Sequence, residues 1–252
     1  FIAIGSYSGA ILGKMMNGLP GLFAGMAVGV VISVIVAFLV GLPTLRLKGD
    51  YLAIATLGVA EIIRVAVTNM KITNGAAGIS GVPLTNTWTI TYIALVLTTI
   101  LILNYTFSSA GRATYAVLQD EIAAESMGVQ VTKYKILAFV LGAATASIGG
   151  TLSATTLGAV TPSDFTFMKS IEVLIIVVFG GIGSFTGSFV AAVLLGIINL
   201  VLQPFGQLRM IIYAVALILI MIFRPGGLLG TWEFKLGDFK FSKKKETKES
   251  GK

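Results

Sequence analysis

The chain has 252 residues, 56% of them hydrophobic and only 12% charged, with a mean hydropathy of +0.94. A soluble domain carries about 25% charged residues. The chain also lacks both cysteine and histidine, which excludes disulfides, cysteine nucleophiles, histidine bases and most zinc sites. The net charge of +7 gathers at one end, with seven of the thirteen lysines in Lys235–Lys252. There it reads as a solvated cytoplasmic tail able to touch anionic lipid, not as a nucleic-acid surface.

Several apolar runs are long enough for a helix to cross a hydrocarbon core, which takes about 20 residues. The alternating segments of a membrane barrel are missing. The expected fold is therefore all-α, a polytopic membrane protein with about eight transmembrane helices over residues 1–230 and a basic tail over 231–252. Phe1–Gly13 is too short for a span and shows neither a basic leader nor a cleavage pattern. The expectation is a chain that starts inside a helix, with further segments upstream.

Gly21–Leu42 is a full span with Gly21, Gly25, Gly29, Ser33, Ala37 and Gly41 at every fourth position. Small residues in one register let two helix backbones approach closely in lipid. Pro43 is expected to end this helix. Arg46 and Lys48 place the following turn in the cytoplasm, and Asp50 is expected to cap the helix Tyr51–Val67. Glu61 and Arg64 lie inside that helix, Glu61 near mid-membrane depth. They are either a functional pair or an internal ion pair that only locks the helix.

Thr68–Thr87 is expected to connect outside the cell, turning sharply through the Gly- and Asn-rich Thr73–Pro83. Trp88–Tyr105 returns the chain to the cytoplasm. The next span, Tyr134–Leu157, is expected to start from a Thr132 cap and carries Gly142, Ala146, Gly150, Ala154 and Gly158 at period four. Its Thr151, Ser153, Thr155 and Thr156 either line a polar path or bond back to their own helix carbonyls. An external connection with a Ser163 cap follows. The remaining expected spans are Phe165–Ile182, short or tilted, then Ser188–Leu202 and Leu208–Phe223. Gly180–Gly187 lacks the Lys-Ser or Lys-Thr of a phosphate loop and reads as a tight turn. Arg224–Gly227 stops the last helix.

The segment 108–133 is the longest polar interruption. Read as one helix, Ala113–Met127 sets Tyr115, Leu118 and Ile122 on one face. Asp120, Glu121 and Glu125 lie elsewhere, and Glu121 and Glu125 repel at i and i+4, with no neighbour in sequence to offset them. Gly128 supplies a C-cap. A short acidic helix with a sharp stop suits either docking into a soluble partner or plain solvation.

This segment, GRATYAVLQDEIAAESMGVQVTKYKILAFVLGA, resembles the branched-chain amino-acid permeases of the LivM type. EIAAESMGV within it is similar to the coupling loop of ABC importer permeases. LPTLRLKGDYLAIATLGVAEIIR, TNGAAGISGVP, SDFTFMKSIEVLIIVVFGGIGSFTG and MIFRPGGLLG match the same family in the same order. The resemblance implies an ABC importer permease fold and a multi-pass protein of a prokaryotic inner membrane with a cytoplasmic C-terminus. Its implied partners are a second related permease, two cytoplasmic ATP-binding subunits and an external substrate-binding protein. ATP and magnesium would be used by those partners, with no cofactor or metal on this chain. It implies ATPase coupling at Glu121, Ala123, Ala124, Glu125 and Gly128. The family's motifs also match Glu61, Arg64, Asn74, Gly75, Gly78 and Gly81, candidates for the path or gate.

The implied cargo is leucine, isoleucine or valine. The same machine could import urea, short amides or other amino acids. An ion-coupled secondary transporter using Glu61, or a structural membrane subunit with no pathway, are rivals of other classes.

Overall fold

The computed structural model describes residues 1–47, 49–181 and 183–202, with Val215 and Ile218 beyond them. Three helices form the centre of the first unit, Phe1–Lys169: α1 (Ile2–Met16), α2 (Leu19–Thr44) and α7 (Val131–Leu157). Every member of the period-four stripe on α2 is buried. The reason is backbone contact. A Cβ added to Gly25 would lie 2.7 Å from Gly9 Cα, and one on Gly5 would lie 2.0 Å from the Ser147 carbonyl oxygen. In lipid, packing of this kind rather than apolar burial holds helices together. Two hydroxyls fasten α1 to α7: Ser6 Oγ donates to the Gly150 carbonyl and Thr151 Oγ1 to the Gly5 carbonyl, both at 2.9 Å.

On α7 the buried face is not the expected stripe. It runs through Ala143, Ser147, Gly150, Thr151, Ala154 and Thr155, while Gly142 points outward. A helix turns in 3.6 residues, so a face continues by steps of three as well as four. The Thr155 and Thr156 hydroxyls donate to carbonyls of α7 itself, as does Thr151 to Ser147. Three expected caps are also displaced. Helix α7 starts from Gln130, not Thr132, and α3 (Asp50–Asn69) starts from Gly49, with Asp50 as its first residue. Asp50 still sets its charge against the helix N-terminus. Thr161, not Ser163, caps the short turn Pro162–Phe165, its hydroxyl and N–H both donating to Asp164 Oδ2. Pro43 does not end α2, which runs one residue further to Thr44. The N–H that proline lacks would have bonded the Leu39 carbonyl, so Pro43 weakens the last turn, and the helix stops just after it.

α3 and α4 (Trp88–Phe107) contain no buried residue. Their connection departs from a purely helical reading. It forms a single turn, Gly75–Ala77, and a strand β1 (Ile79–Ser80) that pairs antiparallel with β2 (Ala159–Val160), Ile79 opposite Val160. Ile79, Val82 and Val160 close with Tyr7, Ala10 and Ala154 into one apolar cluster.

The second unit starts at Ser170. It contains most of α8 (Phe167–Gly180) and all of α9 (Phe185–Leu202), joined through a buried contact of Phe179 with Ala191 and Leu195. The connection is the expected tight turn: Ser184 Oγ accepts from the Gly187 N–H at 3.0 Å. Among the described residues five helices are long and apolar enough to cross a membrane: α2, α3, α4, α7 and α9. α1 and α8, at about 21–22 Å, are shorter than the roughly 30 Å core. The expected span Leu208–Phe223, the stop at Arg224–Gly227 and the tail 231–252 lie outside the described residues.

Candidate functional site

The polar segment folds as two helices, α5 (Ser109–Gln119) and α6 (Glu121–Ser126), not as the single helix expected over Ala113–Met127. α5 starts at Ser108, whose Oγ accepts from the Gly111 N–H at 3.1 Å. It doubles back on the end of α4, where the Tyr105 hydroxyl meets Thr114 Oγ1 at 2.6 Å. The break is at Asp120, in extended conformation. Its carboxylate accepts from the Ile122 and Ala123 N–H groups at 2.9 and 3.1 Å, which is side-chain capping of a helix N-terminus. An Asp before a short periodic run is a recognised start signal, so this break was legible and was missed.

The stop of α6 has the form expected of Gly128. The Gly128 N–H bonds to the Glu125 carbonyl at 2.9 Å and the Val129 N–H to the Ala124 carbonyl at 3.0 Å. This paired arrangement is the Schellman motif. Gly128 has φ +82°, and nothing lies within 4 Å of where its Cβ would stand. Backbone conformation, not space, selects glycine here.

The five coupling candidates divide by orientation. Glu121, half-exposed, reaches toward α7 and pairs with Lys135 Nζ at 2.5 Å. Lys135 stands fourteen residues on, in the first turns of α7, so local sequence offered no sign of it. This corrects the expectation that the acids of α6 go without an offsetting charge. Ala124 is buried, while Ala123 and Glu125 face out beside exposed Ile122 and Met127. Tyr115 and Leu118 do share the exposed side of this region. An apolar recess bounded by Leu45, Leu52, Val117, Leu118 and Phe139 carries the Glu121–Lys135 pair at its edge. The α5–α6 segment thus packs on α7 and faces the α2–α3 joint across the recess.

Glu61 and Arg64 are brought together on α3. Arg64 Nε donates to both carboxylate oxygens of Glu61, at 3.1 and 2.9 Å, and Nη2 adds a further bond to Oε1. Asn74, Gly75, Gly78 and Gly81 all fall in the α3–α4 connection. Asn74 has positive φ, and its Nδ2 donates to the Gly78 carbonyl at 3.0 Å. A Cβ on Gly78 would lie 2.2 Å from the Val160 carbonyl oxygen. These residues shape the ribbon that joins this connection to the end of α7. Among the described residues no cluster of acids is arranged to hold a metal ion.

The family described as "Branched-chain amino acid transport system / permease component" matches residues 1–223. The high-affinity branched-chain amino acid transport system permease protein LivM of Salmonella typhimurium strain LT2 is 36% identical over 91% of this chain and 62% of its own length. LivM of Escherichia coli K12 is 35% identical over the same shares. The permease protein LivH of Escherichia coli K12 is 30% identical over 57% of this chain and 46% of its own length. The chain thus spans about six-tenths of the LivM relatives it matches. No solved structure matches it. With apolar helices long enough to cross a membrane and a family match over most of its length, the chain is a multi-pass membrane protein that belongs to the branched-chain amino acid transport-system permease family.

Proposed function

We propose that the chain is a permease subunit of an ATP-driven importer that translocates branched-chain amino acids handed over by an external binding protein. The observation that carries this reading is the α5–α6 segment. It is capped at both ends, tied inward by Glu121–Lys135, and presents Ile122, Ala123, Glu125 and Met127 outward. Such a unit can receive a push from a docked subunit and pass it to α7 as a rigid body. In this reading the segment and the tail 231–252 are cytoplasmic, in a prokaryotic inner membrane.

The partners are a second related permease, two ATP-binding subunits that bind the ATP and magnesium, and the binding protein. Similarity to LivM and LivH, both named for branched-chain amino acid transport, favours leucine, isoleucine or valine over urea or short amides. Glu61 and Arg64 line the path, and the Asn74–Gly81 ribbon borders it. The Glu61 carboxylate is held by Arg64, which disfavours a role as the ion-coupling group of a secondary transporter.

The test is reconstitution of the full-length protein with its cognate subunits in proteoliposomes. Leucine uptake is expected to require both ATP and the binding protein. Reversing Glu121 and Glu125 to Lys is expected to lower substrate-stimulated ATP hydrolysis at least 10-fold. Unchanged hydrolysis together with unchanged co-purification of the ATPases would sink the docking role. Uptake that follows an ion gradient without ATP would replace the importer by a secondary transporter.

A further inference from the structure

Glu61 lies in the middle third of α3 and Arg64 just past it, on a helix that buries nothing within its own chain. The Glu61 side chain is 54% exposed and the Arg64 side chain 30%. Hydrocarbon does not accept an exposed ion pair at this depth, so the face must meet water or protein supplied from outside the chain. A second observation lies one turn earlier. Nothing stands within 4 Å of the position a Cβ would take on Gly58. Glycine weakens a helix interior relative to alanine, and internal packing gives no reason for it here. Beside Glu61 it leaves a notch, flanked by the exposed side chains of Ile54, Leu57 and Val65.

We propose that this face is a transient subsite for the zwitterion of an aliphatic α-amino acid, an assignment that rests on the amino-acid cargo proposed above. The ion pair opens around the substrate. Glu61 accepts hydrogen bonds from the substrate ammonium, Arg64 donates two parallel bonds to its carboxylate, and the aliphatic side chain lies in the Gly58 notch. The pair is neutral as a whole, and so is the ligand. Opening exchanges one ion pair for two and leaves no charge without a partner, the condition for keeping charges away from bulk water. A ligand with one charge would leave either Glu61 or Arg64 unpaired, and urea offers no charge to either.

The test uses the assembled full-length importer in proteoliposomes with leucine-loaded binding protein. Glu61→Gln and Arg64→Gln are each expected to lower leucine uptake at least 10-fold. The double variant is expected to be no better than the worse single. If the pair serves only to lock α3, the double variant recovers toward wild type, because no unpaired charge remains; that result overturns the subsite. Gly58→Cys keeps both charges; these 252 residues contain no native cysteine, and any elsewhere in the importer is first replaced. A water-soluble thiol reagent is expected to label it, at least 3-fold more slowly when leucine is being transported. Absence of labelling, or labelling indifferent to leucine, overturns the proposal even if the charge variants fail to assemble. Wild-type uptake of urea but not leucine would remove the cargo itself, and the subsite with it, before any variant is compared.

Discussion

α2 and α3 are adjacent in the chain and both apolar enough to cross a membrane, yet they solve opposite problems. Each small residue of the α2 stripe is buried, its glycines against α1 or α7. α3 buries none of its residues, carries three charges, and has a glycine on which an added Cβ would meet nothing within 4 Å. In α2, glycine serves contacts inside the chain. In α3, the same residue type leaves room for something outside it. A helix face that is complete within its own chain and one that is completed from outside can thus be told apart by what a Cβ would meet.

Substitutions can break this comparison. The largest effect is expected from Gly5→Val, where new atoms would enter the Ser147 backbone. Overpacking of this kind costs about 3 kcal/mol or more, and thermal unfolding in detergent should show loss of the folded species. Gly58→Ala should do the reverse, leaving stability unchanged or raising it by up to about 1 kcal/mol. Marked destabilisation by Gly58→Ala would mean that α3 packs within the chain after all.

At the coupling segment the comparison sharpens into one of shape against space. Gly128→Val should cost about 1–2 kcal/mol because of its left-handed backbone. Gly128→Asn should cost less, since asparagine adopts that conformation more readily. The readout is ATPase co-purification and substrate-stimulated hydrolysis, and equal effects of Val and Asn would contradict the backbone argument. Asp120→Ala should weaken α6 by about 1 kcal/mol, seen as faster backbone hydrogen exchange at Ile122 and Ala123. The smallest effect is expected at Glu121–Lys135. A double-mutant cycle there should return a coupling of about 0.2–1 kcal/mol that fades with salt.

Much of this was legible in the chain itself. The α2 stripe is a regular period of small residues, and the Gly128 stop follows from the residue that tolerates positive φ. What was not legible depended on partners far along the chain. A strict period of four along α7 misses its buried face, which follows the contacts of α1 and α2. Lys135 reaches Glu121 only once α7 has folded back toward α6. The strand pair could not be anticipated from two residues on each side, since short strands carry no period of their own. At the candidate site, the residue types of α6 are readable but their orientation is not: Ala124 is buried, Glu121 reaches Lys135 on α7, and Ala123 and Glu125 face outward.

The ribbon between Ile79–Ser80 and Ala159–Val160 has a consequence for the order of events during synthesis. Its two strands lie some eighty residues apart, and the α1–α2 pair likewise awaits α7 to complete its seam. At roughly 5–20 residues per second, the end of α7 leaves the ribosome about 6–23 seconds after the end of α2. For that interval the glycine-lined groove of α1 and α2 has no third helix, and for about 4–16 seconds of it the connection of α3 and α4 has no strand to pair with. α7 is therefore the closing piece of the first unit. A chaperone or insertase that shields nascent helices would be needed most until Leu157 has emerged, and truncation before that point should leave a chain marked for degradation rather than a smaller stable bundle.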